Sequence, residues 1–294
     1  MRGWLVVNQF ITSDKFRELF GMLEAAAAPC GCILERKSNS LLWGKLAEWD
    51  YNIPEKERPD FVLFWDKDLR LAAELERQGL RLYNPAAAIE ACDDKSLTWL
   101  ICRHAGLPQA ESIISPKKFH NDGLIDPELV LRAEALFGFP CVVKEVFGSF
   151  GQQVYLAKDA EELKNTILSI GERPYLIQRF IASSRGRDLR LQVVGDKVIA
   201  AMLRENADDF RANLINGGHA TDYTDKLTGQ QTELALRAVK VLGLDFAGVD
   251  LLFGENGESI LCEVNSNAHF KNLFDCTGVN AAEYILRHIT QRKE

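Results

Sequence analysis

The tightest constraint on this chain lies near its C-terminal end. Ala247-Gly248-Val249-Asp250-Leu251-Leu252-Phe253 and Ser259-Ile260-Leu261-Cys262-Glu263-Val264-Asn265 flank Gly254-Glu255-Asn256-Gly257-Glu258. Asn-Gly between two apolar runs is the strongest short-range hairpin signal, because a two-residue type I′ turn needs positive φ at both central residues. With Asn256 and Gly257 as the turn, Glu255 pairs with Glu258 and the register follows. Val249 faces Val264, Leu251 faces Cys262 and Phe253 faces Ile260, which makes one face apolar, as a half-buried sheet requires. The other face carries Asp250 opposite Glu263, with Asn265 two residues along and pointing the same way. Opposed carboxylates, with Cβ atoms about 5 Å apart, repel. A divalent cation would relieve the repulsion. Two carboxylates and an amide oxygen suit Mg²⁺, which leaves its other positions to water and phosphate oxygens. A solvated hairpin face, or one lined by Arg and Lys, accommodates the same two acids, so the companion motifs decide.

Those motifs are of the kind that bind phosphate. Phe139-Pro140-Cys141-Val142-Val143-Lys144-Glu145 reads as a strand with Lys144 near its end, followed by Gly148-Ser149-Phe150-Gly151. A glycine-rich turn lets backbone N–H groups approach phosphate oxygens, and the lysine adds a compact positive charge. A hairpin turn without a ligand would use the same glycines. The spacing matches neither the P-loop nor the dinucleotide fingerprint, and kinase signatures are absent. Tyr175-Leu176-Ile177-Gln178-Arg179-Phe180-Ile181 is an apolar strand that turns polar at Gln178, suited to meet an adenine edge or to lie in a core. Arg190 and Arg204, on strands joined by a hairpin across Gly195-Asp196, can share a sheet surface with Arg211 and clamp phosphate or carboxylate groups, or simply face solvent.

Around these motifs the chain alternates strands and helices. Strands are expected at Leu5–Val7, Cys32–Leu34 and Phe61–Trp65, with helices at 14–28 and 67–78, which together suggest a small parallel α/β layer. Further helices are expected at 93–105, capped by Asp93 or Asp94, and at 127–137, 159–170, 228–242 and 280–291. Strands are expected at 140–146, 153–157 and 174–179. The net charge of −7 leaves no electrostatic footprint for nucleic acid or an anionic membrane. No run reaches the roughly 18 apolar residues a bilayer span needs. Met1–Asn8 reads as a first strand rather than a secretory signal. The seven cysteines include no C-x-x-C pair and are expected to be reduced, in a cytoplasmic protein. The histidines, His104, His120, His219, His269 and His288, form no metal spacing; His219 and His269 are candidates for substrate contacts.

Taken in order, the segments resemble the ATP-grasp superfamily, and within it the RimK-type α-L-glutamate ligases, from about Asn84 to Ile289. The resemblance rests on Asn84-Pro85, Asp94-Lys95, Phe139-Pro140-x-Val142-Val143-Lys144 and Gly148-Ser149-x-Gly151. It continues through Gln178-x-Phe180-Ile181, Gly186-x-Asp188-x-Arg190, Asp209-Phe210-Arg211-Ala212-Asn213 with Gly217-Gly218, Gly243-Leu244-Asp245-x-Ala247-Gly248-Val249-Asp250 and Glu263-Val264-Asn265-Ser266. It implies an α/β (α+β) ATP-grasp fold: an N-terminal Rossmann-like pre-ATP-grasp domain at 1–90, a lobe with the glycine-rich loop at 91–180, and a second lobe with the Mg²⁺ site at 181–294. It implies that Lys95 and Lys144 contact ATP phosphates along with Gly148, Ser149 and Gly151. Gln178, Arg179, Phe180 and Ile181 would form the hinge holding adenine, and Asp188 would bind the ribose. Arg211 and Asn213 would lie near the γ-phosphate, and Arg190 and Arg204 near a substrate carboxylate, so that Arg190, Arg204 and Arg211 are the catalytic candidates. Asp250, Glu263 and Asn265 would hold Mg²⁺, or Mn²⁺ in its place.

The implied activity is ATP-dependent ligation of a carboxylate to an amine through an acyl phosphate, by positioning and charge neutralisation without a protein nucleophile. The implied partners are ATP and an amino acid such as glutamate, a peptide, a protein tail or a carrier, with no nucleic acid and no membrane, in a homo-oligomer. The alternatives are a non-catalytic nucleotide-binding regulator and an ATP-dependent phosphotransferase. After Ser266, RimK-type chains continue with a proline-glycine turn; here the run is Asn267-Ala268-His269-Phe270-Lys271-Asn272, which should border the substrate pocket.

Overall fold

Strands that are apolar at every position must be covered on both faces, and Leu5–Val7 and Phe61–Trp65 are. In the computed structural model, which describes residues 1–121, 123–148, 151–214 and 217–291, β1 (Arg2–Val7), β2 (Ile33–Ser38), β3 (Phe61–Trp65) and β4 (Leu82–Tyr83) form a parallel sheet in the order β2-β1-β3-β4. Side chains alternate between its faces. Leu5, Val7, Phe61, Leu63 and Trp65 pack against α1 (Asp14–Ala27) and the C-terminal helix Ala281–Gln291. Trp4, Val6, Val62 and Phe64 pack against α2 (Asn39–Glu48) and α3 (Leu69–Arg77). The second strand begins at Ile33, one residue later than the sequence suggests, and runs on to Ser38. The helix α2 was not legible as such, since Gly44 interrupts a short run of mixed propensity; Ser38 starts it by accepting from the Leu41 N–H.

Two short helices, α4 (Ala86–Asp93) and α5 (Lys95–His104), follow. Asp94 caps α5 by accepting from the Ser96 and Leu97 N–H groups. The next sheet holds β5 (Ser112–Ile114), β6 (Cys141–Glu145), β7 (Val154–Ala157) and β8 (Tyr175–Arg179) in the order β5-β8-β6-β7, all antiparallel neighbours. It is backed by α6 (Pro127–Phe137) and α7 (Ala160–Ile170). The last sheet, β11-β10-β9-β12-β13, is built from β9 (Arg187–Val194), β10 (Lys197–Glu205), β11 (His219–Asp222), β12 (Phe246–Phe253) and β13 (Ser259–Asn265). It is covered by α8 (Gly229–Val241), and α9 (Lys271–Thr277) and α10 (Ala281–Gln291) close the chain. Although α5 precedes the middle sheet in sequence, it buries Cys102 in the core that Leu189, Val249 and Leu261 form on the last sheet. Among the described residues no helix is long and apolar enough to cross a membrane, and all seven cysteines are free.

The hairpin departs from the sequence reading in two ways. Asp250 does pair with Glu263 and Val249 with Val264, but a bulge then shifts the register, so that Leu251 pairs with Leu261 and Phe253 with Ser259. The turn is also not the two-residue type I′. Gly254 N–H donates to Glu258 O at 2.8 Å, Gly257 N–H to Gly254 O at 3.3 Å, and only Gly257 of the turn residues has positive φ, at 82°. A longer turn with one left-handed glycine adds a residue to one strand, and the bulge absorbs it. The physical gain is on the apolar side: Leu261 joins Leu251 in the core, and Cys262 is released to the opposite side.

Asn84 ties the first sheet to the last. Fully buried, its Nδ2 donates to Phe246 O and Ser266 O, both at 2.9 Å, while its Oδ1 accepts from Asp245 N–H at 2.7 Å and Phe246 N–H at 3.2 Å. The segment after Ser266 then lies against the first domain, where the His269 Nε2 bonds Lys15 O at 2.9 Å and the ring meets Phe16 edge-on at 5.3 Å. Burial, the largest influence, with the nearby positive charges holds His269 down to about 4.

Two outcomes are expected. Asn84→Ala strands several buried backbone groups and should lower unfolding free energy by about 3 kcal/mol, measured by chemical denaturation; a loss under about 0.5 kcal/mol would contradict this role. Because His269 has a folded pKa below its unfolded value, the unfolded chain takes up its proton first. Stability should therefore be complete above the unfolded value near 6.5 and decline as pH falls toward 4. His269→Gln should flatten that part of the acid-denaturation profile.

Candidate active site

The middle and last sheets face each other across a cavity of about 590 Å³, whose third wall is the C-terminal edge of the first sheet. Each element delivers its side chains by strand alternation or by a loop that a glycine lets approach. Lys95 comes from the start of α5, Lys144 from β6, and Gly148 and Gly151 from the loop after it. Gln178 and Arg179 end β8, and Phe180 and Ile181 follow. Asp188 and Arg190 lie on β9, Arg204 on β10, Arg211 and Asn213 on the loop beyond, Asp250 on β12, and Glu263 and Asn265 on β13. All of them line the cavity. Ser149 lies outside the described residues. His219 is not in the cavity wall; it sits on the outer strand β11, 3.5 Å from Glu205.

The floor is a buried row of alternating charges on the last sheet. Register places Arg190 beside Asp250 and Arg204 beside Asp188. Arg190 engages both oxygens of Asp250, with Nη2 to Oδ2 at 2.7 Å and Nε to Oδ1. Arg204 grips Asp188 bidentately at 2.6 and 2.7 Å and reaches Asp250 Oδ2 at 3.0 Å. Burial pushes Asp188 up, only partly offset by Arg204, and the charge of Asp250 adds to the rise. For Asp250 burial works in the same direction, but the two guanidinium groups outweigh it and hold the carboxyl below its ordinary range. Arg204 is likewise held above its ordinary value by the two carboxylates in spite of its burial. The repulsion that sequence reasoning assigned to a cation is thus relieved at Asp250 by two arginines. Gly248 permits this, because a Cβ there would stand 2.5 Å from Ala268 Cβ and 3.2 Å from the Arg190 side chain.

Opposite the floor, the cations gather. Lys95 Nζ donates to Gly148 O at 2.8 Å and lies 3.9 Å from Glu263 Oε1. Burial lowers its pKa, against the pull of Glu263. Lys144 Nζ is 3.8 Å from Cys262 Sγ, the residue freed by the bulge. Arg211 is held by Asp209 at 2.7 Å and donates to Gly151 O at 2.6 Å, which fastens the glycine-rich loop to the 209–213 segment. That segment is docked by Gly186, whose φ of 67° and lack of a side chain let Asn206 O come within 2.2 Å of where a Cβ would be. The Gln178 side chain is held by Ser112 Oγ at 2.9 Å, and that of Arg179 by Glu111 and Leu136 O. The main chain of Gln178 and Arg179 is paired with β5 and β6, so this side presents to the cavity the segment that follows, where the Phe180 ring meets Phe210 at 6.3 Å.

Sequence reasoning missed the wall supplied by the first domain: Asn8, Lys15, Phe16, Trp65, Asp66 and Lys67. A signal was present. Asn8 directly follows β1 and Asp66 directly follows β3, and ligands of parallel sheets gather beyond the carboxyl ends of strands.

Of the residues expected to hold a divalent cation, Glu263 and Asn265 are open to one, and Asp250 could join them only by sharing oxygens that Arg190 and Arg204 already engage. Among the described residues no three His, Cys, Asp or Glu side chains cluster to hold a metal by themselves, and the expected set contains only two carboxylates. Glu263 is partly exposed to the cavity, and the buried Asn265 Nδ2 has no hydrogen-bond partner. Nothing therefore pins the Asn265 amide against presenting its oxygen, and two carboxylates with one amide suit a hard cation that keeps water and phosphate ligands.

Comparison with known proteins agrees with this geometry. The RimK-like ATP-grasp domain matches residues 94–289. The uncharacterized protein MG012 homolog of Mycoplasma pneumoniae is 34% identical over 231 residues, covering 78% of this chain and 79% of that one. N-acetylaspartylglutamate synthase A of Homo sapiens is 35% identical over 208 residues, 70% of this chain and 51% of that protein, so the match spans about half of its length. The crystal structure of D-alanine–D-alanine ligase from Bacillus anthracis complexed with ATP superimposes with a TM-score of 0.73 at 17% identity, covering 99% of this chain and 96% of that one; the likeness is one of fold. The chain belongs to the RimK-type family of the ATP-grasp superfamily, ATP-dependent ligases that join a carboxylate to an amine.

Proposed function

We propose that this ligase activates a substrate carboxylate as an acyl phosphate at the expense of ATP and couples it to the amino group of an amino acid of the glutamate class. The observation that carries the reading is the single cavity in which Lys95, Lys144 and Arg211 on one side face Asp250, Glu263 and Asn265 on the other. The glutamate relatives support the choice of amine, since the human relative is named for a product ending in glutamate.

In this reading Lys95, Lys144 and the backbone of Gly148 and Gly151 receive the ATP phosphates, and the Gln178–Ile181 segment receives adenine. Arg211 and Asn213 stand beside the terminal phosphate, where the carboxylate oxygen takes the γ-phosphoryl group and the bond to ADP breaks. The amine nitrogen, having released its ammonium proton to solvent, then bonds the acyl carbon; the acyl C–O bond breaks, and phosphate leaves with a second proton from the nitrogen. Asp250, Glu263 and Asn265 would hold a magnesium ion, whose contribution would be to neutralise charge at the phosphates. Arg190 borders the place for a substrate carboxylate. Arg204, wholly engaged by Asp188 and Asp250, serves as a positioning residue for the acidic pair. The thiols in the wall do not supply a nucleophile: burial pushes Cys262 up to about 11 and Cys92 higher still.

With Mg-ATP, L-glutamate and a panel of N-acylated amino acids, hydroxy acids and peptides, the protein should release ADP and phosphate together, and Glu263→Gln should reduce turnover at least about a hundredfold. ADP without phosphate would mark a phosphotransferase instead, and failure to bind Mg-ATP would overturn the reading. Arg204→Leu leaves two buried carboxylates short of a partner and should cost about 3–5 kcal/mol in denaturation; a near-neutral effect would mean that the network is not what holds Asp250.

A further inference from the structure

Where the first sheet and the segment after Ser266 meet in the cavity wall, several buried polar atoms are left without partners. Asp66 is 4% exposed; its Oδ1 accepts from Asn8 Nδ2 at 3.0 Å and from the Lys67 N–H at 2.7 Å, while its Oδ2 has no hydrogen bond. Asn267 donates Nδ2 to Asp66 O at 2.9 Å, which fixes the orientation of the amide and leaves its Oδ1 unpartnered. His269 bonds Lys15 O through Nε2, so that nitrogen carries the proton, and Nδ1, also unpartnered, is an acceptor in the neutral ring. All three residues line the cavity. Buried acceptors left unpaired are costly, and a carboxylate most of all; burial accordingly raises Asp66. These three acceptors call for a group that carries donors, and an ammonium group with its three N–H bonds is such a group. The Trp65 Nε1, a donor in the same wall, is unpartnered as well and suits the carboxylate of a zwitterion.

We propose that the ammonium of the amine substrate is received by Asp66 Oδ2 and Asn267 Oδ1, with His269 Nδ1 as a further acceptor for the same molecule, which makes this end of the cavity a subsite for a free α-amino acid. The proposal rests on the ligase reading above and adds to it the place and chemistry of amine recognition. It also gives a use to the Asn267–His269 segment and to the first domain, which contributes Asp66. A protein tail joined through its own carboxylate would enter elsewhere.

The test uses the full chain saturated with Mg-AMPPNP and titrated calorimetrically with L-glutamate, N-acetyl-L-glutamate and 2-oxoglutarate. L-Glutamate should bind at least about tenfold more tightly than either compound without an ammonium. In protein carrying isotope-labelled histidine, L-glutamate should also shift the Nδ1 resonance of His269, assigned with His269→Gln. Asp66→Asn should weaken L-glutamate binding at least about tenfold and leave AMPPNP affinity within about twofold, the latter showing that the site is folded. The ligand comparison needs no variant and decides the matter even if Asp66→Asn is unstable. Equal binding of 2-oxoglutarate would overturn the subsite. So would unchanged L-glutamate affinity in Asp66→Asn with a silent His269 resonance, and turnover with glutamate in that case would leave the ligase reading intact. Wild-type protein that neither binds nor turns over any common amino acid would overturn both.

Discussion

The site depends on the buried row of charges formed by Asp188, Arg204, Asp250 and Arg190 on the last sheet. Asp188, Arg204 and Asp250 are buried there, and each is compensated by a neighbour of opposite sign delivered by strand pairing at fixed register. Burial opposes ionisation of Asp250, and the two guanidinium forks outweigh it and hold the carboxyl below its ordinary range. Such an arrangement adds little to net stability but allows one geometry only, because any shift in register would leave a charge unpaired. The carboxylate of Asp250 is thereby presented beside Glu263 and Asn265 rather than turned into the core.

Around that row, three sheets with different tasks share one cavity. The antiparallel middle sheet brings Lys144 and the glycine-rich loop, the last sheet brings the acids, and the parallel first sheet ends in Asn8 and Asp66. Asn84 makes the first and last sheets one unit by satisfying backbone groups at Asp245, Phe246 and Ser266. The segment that follows Ser266 is carried against the first domain by the same contacts. The middle sheet, by contrast, meets the 209–213 segment through Arg211 and Gly151 at the mouth of the cavity.

Much of this was legible in the chain because it rests on short-range rules. Alternation placed Asp250 opposite Glu263 and Asn265 on the same side, and the order of the phosphate-binding motifs pointed to the family. What escaped was of two kinds. Local conformation decided between turn types, so the bulge at Cys262 came from a type of turn that Asn-Gly does not by itself exclude. Long-range contacts decided the rest: Arg190 and Arg204 read as free clamps in sequence, and only strand pairing shows their forks engaged by Asp250 and Asp188.

By itself the sequence determined the alternation of strands and helices, the acidic pair on the hairpin, the lysine and glycines of the phosphate side and the absence of a membrane-spanning run, because each depends on residues near one another in the chain. Only the tertiary structure decided that Asp66 and Asn267, 201 residues apart, share one wall, that partial burial holds the His269 pKa down, and that α5 belongs to the core of the last sheet. Burial and the pairing of charges are properties of the assembled fold, since the water a group loses is removed by segments far away in sequence.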